Sequence, residues 1–211
     1  LSDGVEQVDN QYIFGYNVNM INYSRRRNLM KYITRAMEPT FKKLAAEFPV
    51  ILVTGPRQVG KTTMLEKLMQ EENIDREYVT LDDLTEREMA KNDPKMFFQI
   101  HTPPVFIDEV QYAPELFPYI KMHADKTHNP GDFWLTGSQV FKLMRGIQES
   151  LAGRVGLLNM SSMSQAEICG GPTIPFELNI ETLSARAKEI KAVDTPELYK
   201  RIFHGGMPAL V

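Results

Sequence analysis

The sequence predicts an α/β fold: a parallel sheet between two layers of helices, with a small helical segment after it. Three observations carry this. From about residue 50 to 160, short apolar runs alternate with stretches of helical spacing, the signature of a parallel sheet covered on both faces. The first run, VILV at 50–53, leads into Gly55-Pro56-Arg57-Gln58-Val59-Gly60-Lys61-Thr62, which fits the phosphate-loop pattern G-x-x-x-x-G-K-(S/T). Polar residues then gather where the runs end, at Thr54 to Thr62, Asp82, Asp108, Glu109, Thr136 and Ser138. A parallel sheet binds its ligand beyond the carboxyl ends of its strands.

Taken in order, residues 1–24 show neither helical nor strand periodicity and lack the layout of a signal peptide, so they are expected to form a disordered extension. The natural start is expected at Met20 or Met30. Residues 25–48 space Leu29, Ile33, Met37, Phe41, Leu44 and Phe48 like a helix that Pro39 breaks or bends into two. Arg25, Arg26, Arg27, Lys31, Arg35, Lys42 and Lys43 fall mainly on its other face, either solvated or facing a nucleic acid or an acidic protein partner. After the loop, TTMLEKLMQEEN reads as a helix through Met64, Leu65, Leu68 and Met69.

Glu77 to Leu81 alternates as a second strand, and Asp83 is placed to cap the helical stretch LTEREMAKNDPKMFFQI, with Pro94 as a break or a new start. Pro104 to Asp108 is a third strand, ELFPYIKMHADKTHNPG a helix closed by a turn, and Asp132 to Thr136 a fourth strand. VFKLMRGIQESLAG reads as a further helix and Val155 to Asn159 as the fifth strand. These elements make 25–160 one domain. Within 161–211, a loop-rich stretch precedes two helices, LSARAKEIKAV and TPELYKRIF, expected to form a lid or the start of a truncated further domain. GGMPALV stops within what reads as continuing structure, so the chain is expected to be a fragment.

Composition bounds the function classes. A hydrophobic share of 43% and a charged share of 24% are ordinary for a globular chain of 211 residues, and a net charge of −3 gives no whole-chain basicity for nucleic acid. One cysteine, Cys169, excludes disulfides within the chain, argues against a cysteine-based metal site and suits a reducing, cytoplasmic setting. The four histidines show no ligand spacing. No apolar run approaches the roughly 18 residues that span a bilayer, so no membrane is expected.

The chemistry starts at the loop. Gly55 and Gly60 permit turns closed to other residues, so that successive N–H groups face inward around an anion, and the helix that follows adds its unpaired amides and dipole. Lys61 can reach the β- and γ-phosphates of ATP, and the Thr62 hydroxyl is placed to ligate Mg²⁺; Thr63 is one position further on. VFIDEVQ is an apolar strand ending in two acids. Asp108 would complete the Mg²⁺ shell with Thr62, and Glu109 would polarise a water for in-line attack. Alternatively, the two acids merely end a strand. In LTGSQ, Ser138, before Thr136 or Gln139, is the candidate for a hydrogen bond to the γ-phosphate or the water, unless the segment is an ordinary polar turn. Arg154 either reaches a γ-phosphate, in its own or a neighbouring subunit of a homo-oligomer, or pairs with a surface carboxylate. Arg57 is a weaker candidate for a phosphate or partner contact.

The segments VTGPRQVGKTT, YVTLDD, KNDP, PPVFIDEVQYAPELFPYIK, FWLTGSQ, SLAGRVGLL and GGMPALV, in this order, resemble a bacterial and archaeal family of AAA+-superfamily ATPases over about 30–211. Its members follow this P-loop NTPase domain with a C-terminal domain of unknown function. The resemblance implies a three-layer α/β/α architecture with strand order 5-1-4-3-2 and an ATP-hydrolysing site. It places Gly55, Gly60, Lys61 and Thr62 in the Walker A role, Asp108 and Glu109 in the Walker B role, and Ser138 approximately in the sensor role. NMSSMSQAE departs from the apolar Leu-Pro-Leu pattern of that family after the fifth strand. The leading expectation is a Mg²⁺-dependent ATPase whose turnover drives a conformational change. The alternative is a nucleotide-gated binding or scaffold module, on DNA or protein, with little hydrolysis. A small-molecule kinase would need an acceptor site that the sequence does not display.

Overall fold

Val50 to Thr54 form a strand buried along its whole length, because a run of five β-favouring or apolar residues can be satisfied only between two helical layers. In the computed structural model, which describes residues 32–138, 147, 150–171, 178–189 and 193–208, this strand, β1, is the second from one edge of a five-stranded sheet. Its partners are β2 (Glu77–Thr80), β3 (Val105–Asp108), β4 (Phe133–Gly137) and β5 (Val155–Asn159), in the order β2-β3-β4-β1-β5. Every pairing is parallel, and Val50 is in register with both Phe133 and Val155. This is the predicted 5-1-4-3-2 order read from the other edge.

Alternation along each strand sorts the core onto two faces. Val50, Leu52, Val79, Val105, Ile107, Phe133 and Leu135 pack on one side, against Ala90 of α3 (Leu84–Asn92), Phe97 of α4 (Pro94–Ile100) and Phe117, Ile120 and Ala124 of α5 (Phe117–Thr127). Ile51, Val53, Phe106 and Trp134 face the other side, against Phe41 of α1 (Glu38–Glu47) and Met64, Leu65 and Leu68 of α2 (Lys61–Glu71). Phe41 meets Trp134 edge-on at 4.7 Å between ring centroids, a favoured aromatic geometry. The architecture is therefore three-layered.

The chain divides into two units, Leu1–Ile33 and Thr34–Val211, and the sheet belongs to the second. The extension at 1–24, the basic residues Arg25 to Arg27 and Lys31, Gln139, and most of the helix expected over VFKLMRGIQESLAG lie outside the described residues.

Boundaries follow local chemistry. Asp83 caps α3 by accepting from the amides of Thr85 and Glu86, and Asp93 caps α4 through the Met96 amide, so Pro94 starts a second helix. Pro39 does not break or bend a helix: it stands in the first turn of α1, where its missing N–H costs nothing, and residues 32–35 are not helical. The stretch before α5 begins as two 3₁₀ turns, Val110–Tyr112 and Pro114–Leu116. Beyond β5 come the short α6 (Gln165–Ile168), α7 (Ile180–Glu189) and α8 (Thr195–His204). Ser164 and Glu167 form a reciprocal capping box on α6 that the loop-like composition of this stretch conceals. Among the described residues, no helix is long and apolar enough to cross a membrane.

Candidate functional site

β1 delivers the chain to Gly55, and α2 carries it away from Gly60. Both glycines are required by geometry. Gly55 has φ 140°, and a Cβ there would stand 2.1 Å from the Met160 carbonyl oxygen; Gly60 has φ 92° and caps α2 without any side-chain hydrogen bond. The first-turn amides of α2 are thus left to an anion, as is typical of a helix that opens on a phosphate. Val59 is fully buried and anchors the loop in the core, whereas Pro56, Arg57 and Gln58 are exposed, Gln58 with φ 63°. Arg57 donates to the Tyr112 hydroxyl at 3.3 Å.

Lys61 is 5% exposed, and its ammonium lies across the loop, donating to the carbonyls of Gly55 at 3.0 Å and Pro56 at 2.7 Å. Burial lowers its pKa, while the facing Glu109 and Asp108 carboxylates pull the other way. Thr62 donates to Asp108 Oδ1 at 2.9 Å, which brings the two expected Mg²⁺ ligands together from α2 and β3. Thr63 is exposed on the outer side of the same turn.

Asp108 is held from three sides: Thr62 and Thr136 donate to Oδ1, and the Tyr78 phenol to Oδ2 at 3.3 Å. Burial pushes its carboxyl up, those hydrogen bonds pull it down, and the Glu109 charge adds to the rise. Burial and the Asp108 charge likewise push Tyr78 upward, which keeps its phenol protonated and donating. A buried carboxylate that is costly to keep ionised, with a hydroxyl at its side, fits a divalent cation. Among the described residues no group of three or more His, Cys, Asp or Glu is arranged to hold a metal ion, so the donor set suits a metal shared with phosphate oxygens better than a cage made by protein alone.

Glu109 follows in the left-handed conformation, φ 57° and ψ 45°, uncommon for a residue with a side chain and a local strain of the kind found at functional sites. Its amide donates to Thr136 Oγ1 at 3.1 Å. Its carboxylate Oε2 accepts from the Ser138 hydroxyl at 3.1 Å and from the Gln111 carboxamide. Lys61, Thr62, Asp108, Glu109 and Ser138 therefore converge at the carboxyl ends of β1, β3 and β4. The Ser138 hydroxyl is directed at Glu109.

Arg154 lies elsewhere. It precedes β5, its carbonyl accepts from the Val50 amide at the start of β1, and its guanidinium pairs with Asp125 and the Ala152 carbonyl. This is the amino-terminal edge of the sheet, a strand length from the phosphate loop of its own chain. Asp82 is exposed and 3.8 Å from Arg87, outside the cluster.

Two groups escaped the sequence reading. Gln111 stood in the motif VFIDEVQ, but no spacing rule marks it. Arg35 was grouped with a solvated or partner-facing basic surface, yet it is 5% exposed. Its guanidinium donates to the Val59 carbonyl inside the loop at 2.7 Å, to the Ser161 carbonyl at 2.9 Å and to Glu167 Oε1 at 3.0 Å. Burial alone would raise the Glu167 carboxyl. The Ala36 and Ser164 amides, together with Arg35, outweigh it and hold the group below its ordinary value. The GGMP stretch joins the same place. Gly206 accepts from the Met163 amide at 2.7 Å, Met207 packs on the core beneath the loop, and Pro208 lies beside Gly60.

Comparison with known proteins agrees with this geometry. Two uncharacterized proteins, one of Mycobacterium bovis and one of Mycobacterium tuberculosis, are each 33% identical over 120 residues, 57% of this chain; the chain spans about a quarter (26%) of their length. The solved Walker-type ATPase of Pyrococcus abyssi shares the fold at a TM-score of 0.56 and 17% identity, over 84% of this chain and 65% of its own. A family model described as an AAA domain matches residues 47–169, more than half of the sequence and the segment that carries the loop, both acids and the sheet. With a parallel 5-1-4-3-2 sheet and a phosphate loop at its carboxyl edge, the chain belongs to that AAA domain family of P-loop NTPases.

Proposed function

We propose that this domain binds ATP with Mg²⁺ and hydrolyses it to ADP and phosphate, and that turnover moves the segments seated on the phosphate loop. The observation that carries the reading is the Thr62–Asp108 hydrogen bond at 2.9 Å, with the Glu109 carboxylate on the next residue. It joins the two motifs of a phosphoryl-transfer site across 46 residues of sequence.

The chain's own groups have distinct tasks. The amides of the loop and of the first turn of α2 cradle the phosphates, and Lys61 exchanges its carbonyl partners for phosphate oxygens. Thr62 and Asp108 would hold Mg²⁺, which when bound supplies charge neutralisation across the phosphates. Glu109 takes a proton from water as the water oxygen bonds to the γ-phosphorus and the bond to the β,γ-bridging oxygen breaks. Such positioning and charge stabilisation account for most of the catalysis of phosphoryl transfer. Arg35 links the loop to Ser161 and Glu167, which offers a route from phosphate occupancy to the 161–208 region acting as a lid.

That same link supports a second reading, a nucleotide-gated switch or scaffold acting on DNA or protein with negligible turnover. Steady-state phosphate release with Mg²⁺-ATP, with and without duplex and single-stranded DNA and with Glu109→Gln as blank, separates the two. Release above the blank supports hydrolysis, and stimulation by DNA would assign a nucleic-acid partner. Tight ATP binding without release supports the switch. Failure to bind ATP overturns both.

A further inference from the structure

We propose that Gln111 is the positioning residue for Glu109: with Ser138 it immobilises one carboxylate oxygen and leaves the other as the base that accepts the proton from water. The inference rests on the hydrolytic reading above and assigns a task to a residue that has none in the Walker A and Walker B roles.

The geometry is specific. Glu109 Oε2 receives two donors, the Gln111 Nε2–H and the Ser138 O–H, and Gln111 Nε2 also reaches Ser138 Oγ at 3.4 Å, closing a three-membered ring of side chains. The chemistry settles the amide orientation, because a carboxylate can only accept and must face the NH₂ end. Glu109 Oε1 makes no hydrogen bond among the described residues. A base whose two oxygens are divided in this way, one pinned and one open, has a defined direction of attack, the logic by which a third group orients a catalytic base.

Gln111 itself is buried. It lies in the 3₁₀ turn directly after Glu109 and is 8% exposed. Its own Oε1 is buried with no partner among the described residues. A buried carboxamide with an unsatisfied acceptor costs free energy, so a purely structural role would be served better by an apolar side chain of similar size. The carboxamide therefore makes sense through what its nitrogen does for Glu109. The left-handed backbone of Glu109 acts in the same direction, since it turns the chain sharply enough to bring residue 111 back against its carboxylate.

The test is Gln111→Leu, which keeps the volume and removes both the donor and the orphaned acceptor; Gln111→Met repeats it should Leu impair folding. The expected result is a kcat for phosphate release reduced about 10- to 100-fold, as for a base whose direction is lost but whose charge remains. ATP affinity should stay within about threefold and the melting temperature should not fall, a split that a packing role would not produce. Ser138→Ala should show a smaller loss of the same kind. An unchanged or raised kcat in both Gln111 variants, or a loss of kcat matched by an equal loss of ATP affinity, overturns the inference alone. A wild type that releases no phosphate above the Glu109→Gln blank overturns the hydrolytic reading, and the inference with it.

Discussion

Arg35→Met removes the guanidinium that ties the phosphate loop to the region after β5 while keeping much of the side-chain volume. Three carbonyl or carboxylate partners lose their donor: Val59, Ser161 and Glu167. Breaking a buried ion pair by removing one partner costs about 3–5 kcal/mol, because the other charge stays buried. The Glu167 carboxylate, 6% exposed, keeps the amides of Ala36 and Ser164, each at 2.7 Å, so the low end applies, about 3 kcal/mol. For a chain of this size that is a fall in melting temperature of roughly 6–12 °C. Adding Glu167→Gln should cost less than the sum of the two single changes, since no charge is then left unpaired, although its NH₂ must face one of the two amides that the carboxylate accepts. Melting curves followed by circular dichroism, with urea titrations for the free energies, measure both. The acid side adds a check. Because the Glu167 carboxyl lies below its ordinary value of 4.5 in the folded state, its contribution is fully present above that pH and is lost as pH falls through the lower, folded value. Glu167→Gln should lack this loss. An Arg35→Met protein that melts within about 1 °C of wild type, or a double variant that shows the sum of the single costs, refutes the reasoning.

Further outcomes are expected at the site. Lys61→Ala should abolish ATP binding by calorimetry while leaving the far-ultraviolet circular dichroism unchanged; wild-type affinity in that variant would remove the loop from the phosphate. Gly55→Ala places a methyl group against the Met160 carbonyl and should destabilise the fold by about 2 kcal/mol or more in urea unfolding, with weaker nucleotide binding. Asp108→Asn should raise the melting temperature of the ligand-free protein at neutral pH by roughly 2–4 °C, about 1 kcal/mol. The folded-state pKa of Asp108 is raised above its ordinary 3.8, so its stabilising contribution holds below that pH and is lost as pH rises through the folded value, leaving a net cost at neutrality that Asn removes. The same variant should lose any Mg²⁺-dependent tightening of ATP binding, and a lower melting temperature would show that the buried charge is not costly.

The sequence by itself determined the elements whose information is local. The phosphate loop from Gly55 to Thr62 is contiguous, and each of its residue types follows from what an anion needs of the backbone. The strand ends at Asp108 and Thr136 and the cap at Asp83 were legible for the same reason: an apolar run announces a buried strand, and the polar residue that stops it stands at the tip. The strand order came with the resemblance, which the parallel pairings match.

Only the tertiary structure decided what lies across the sheet. Arg35 reads as one of several cations on a helix face until its guanidinium is found beside Glu167, 132 residues away, because burial of a charge depends on a partner that periodicity cannot name. Pro39 reads in the sequence as a break or bend within a helix, but it stands in the first turn of α1, and the residues before it are not helical. The strict requirement for Gly55 comes from the Met160 backbone, which meets the loop only because β5 pairs with β1. Arg154 precedes a strand in sequence, but the parallel direction of β5 sets it at the opposite end of the sheet from the loop. Gln111 acquires a task only through the left-handed turn at Glu109, a backbone state that the sequence DEVQ does not announce. Local motifs specify which groups are present, and the packing of distant strands specifies which of them meet.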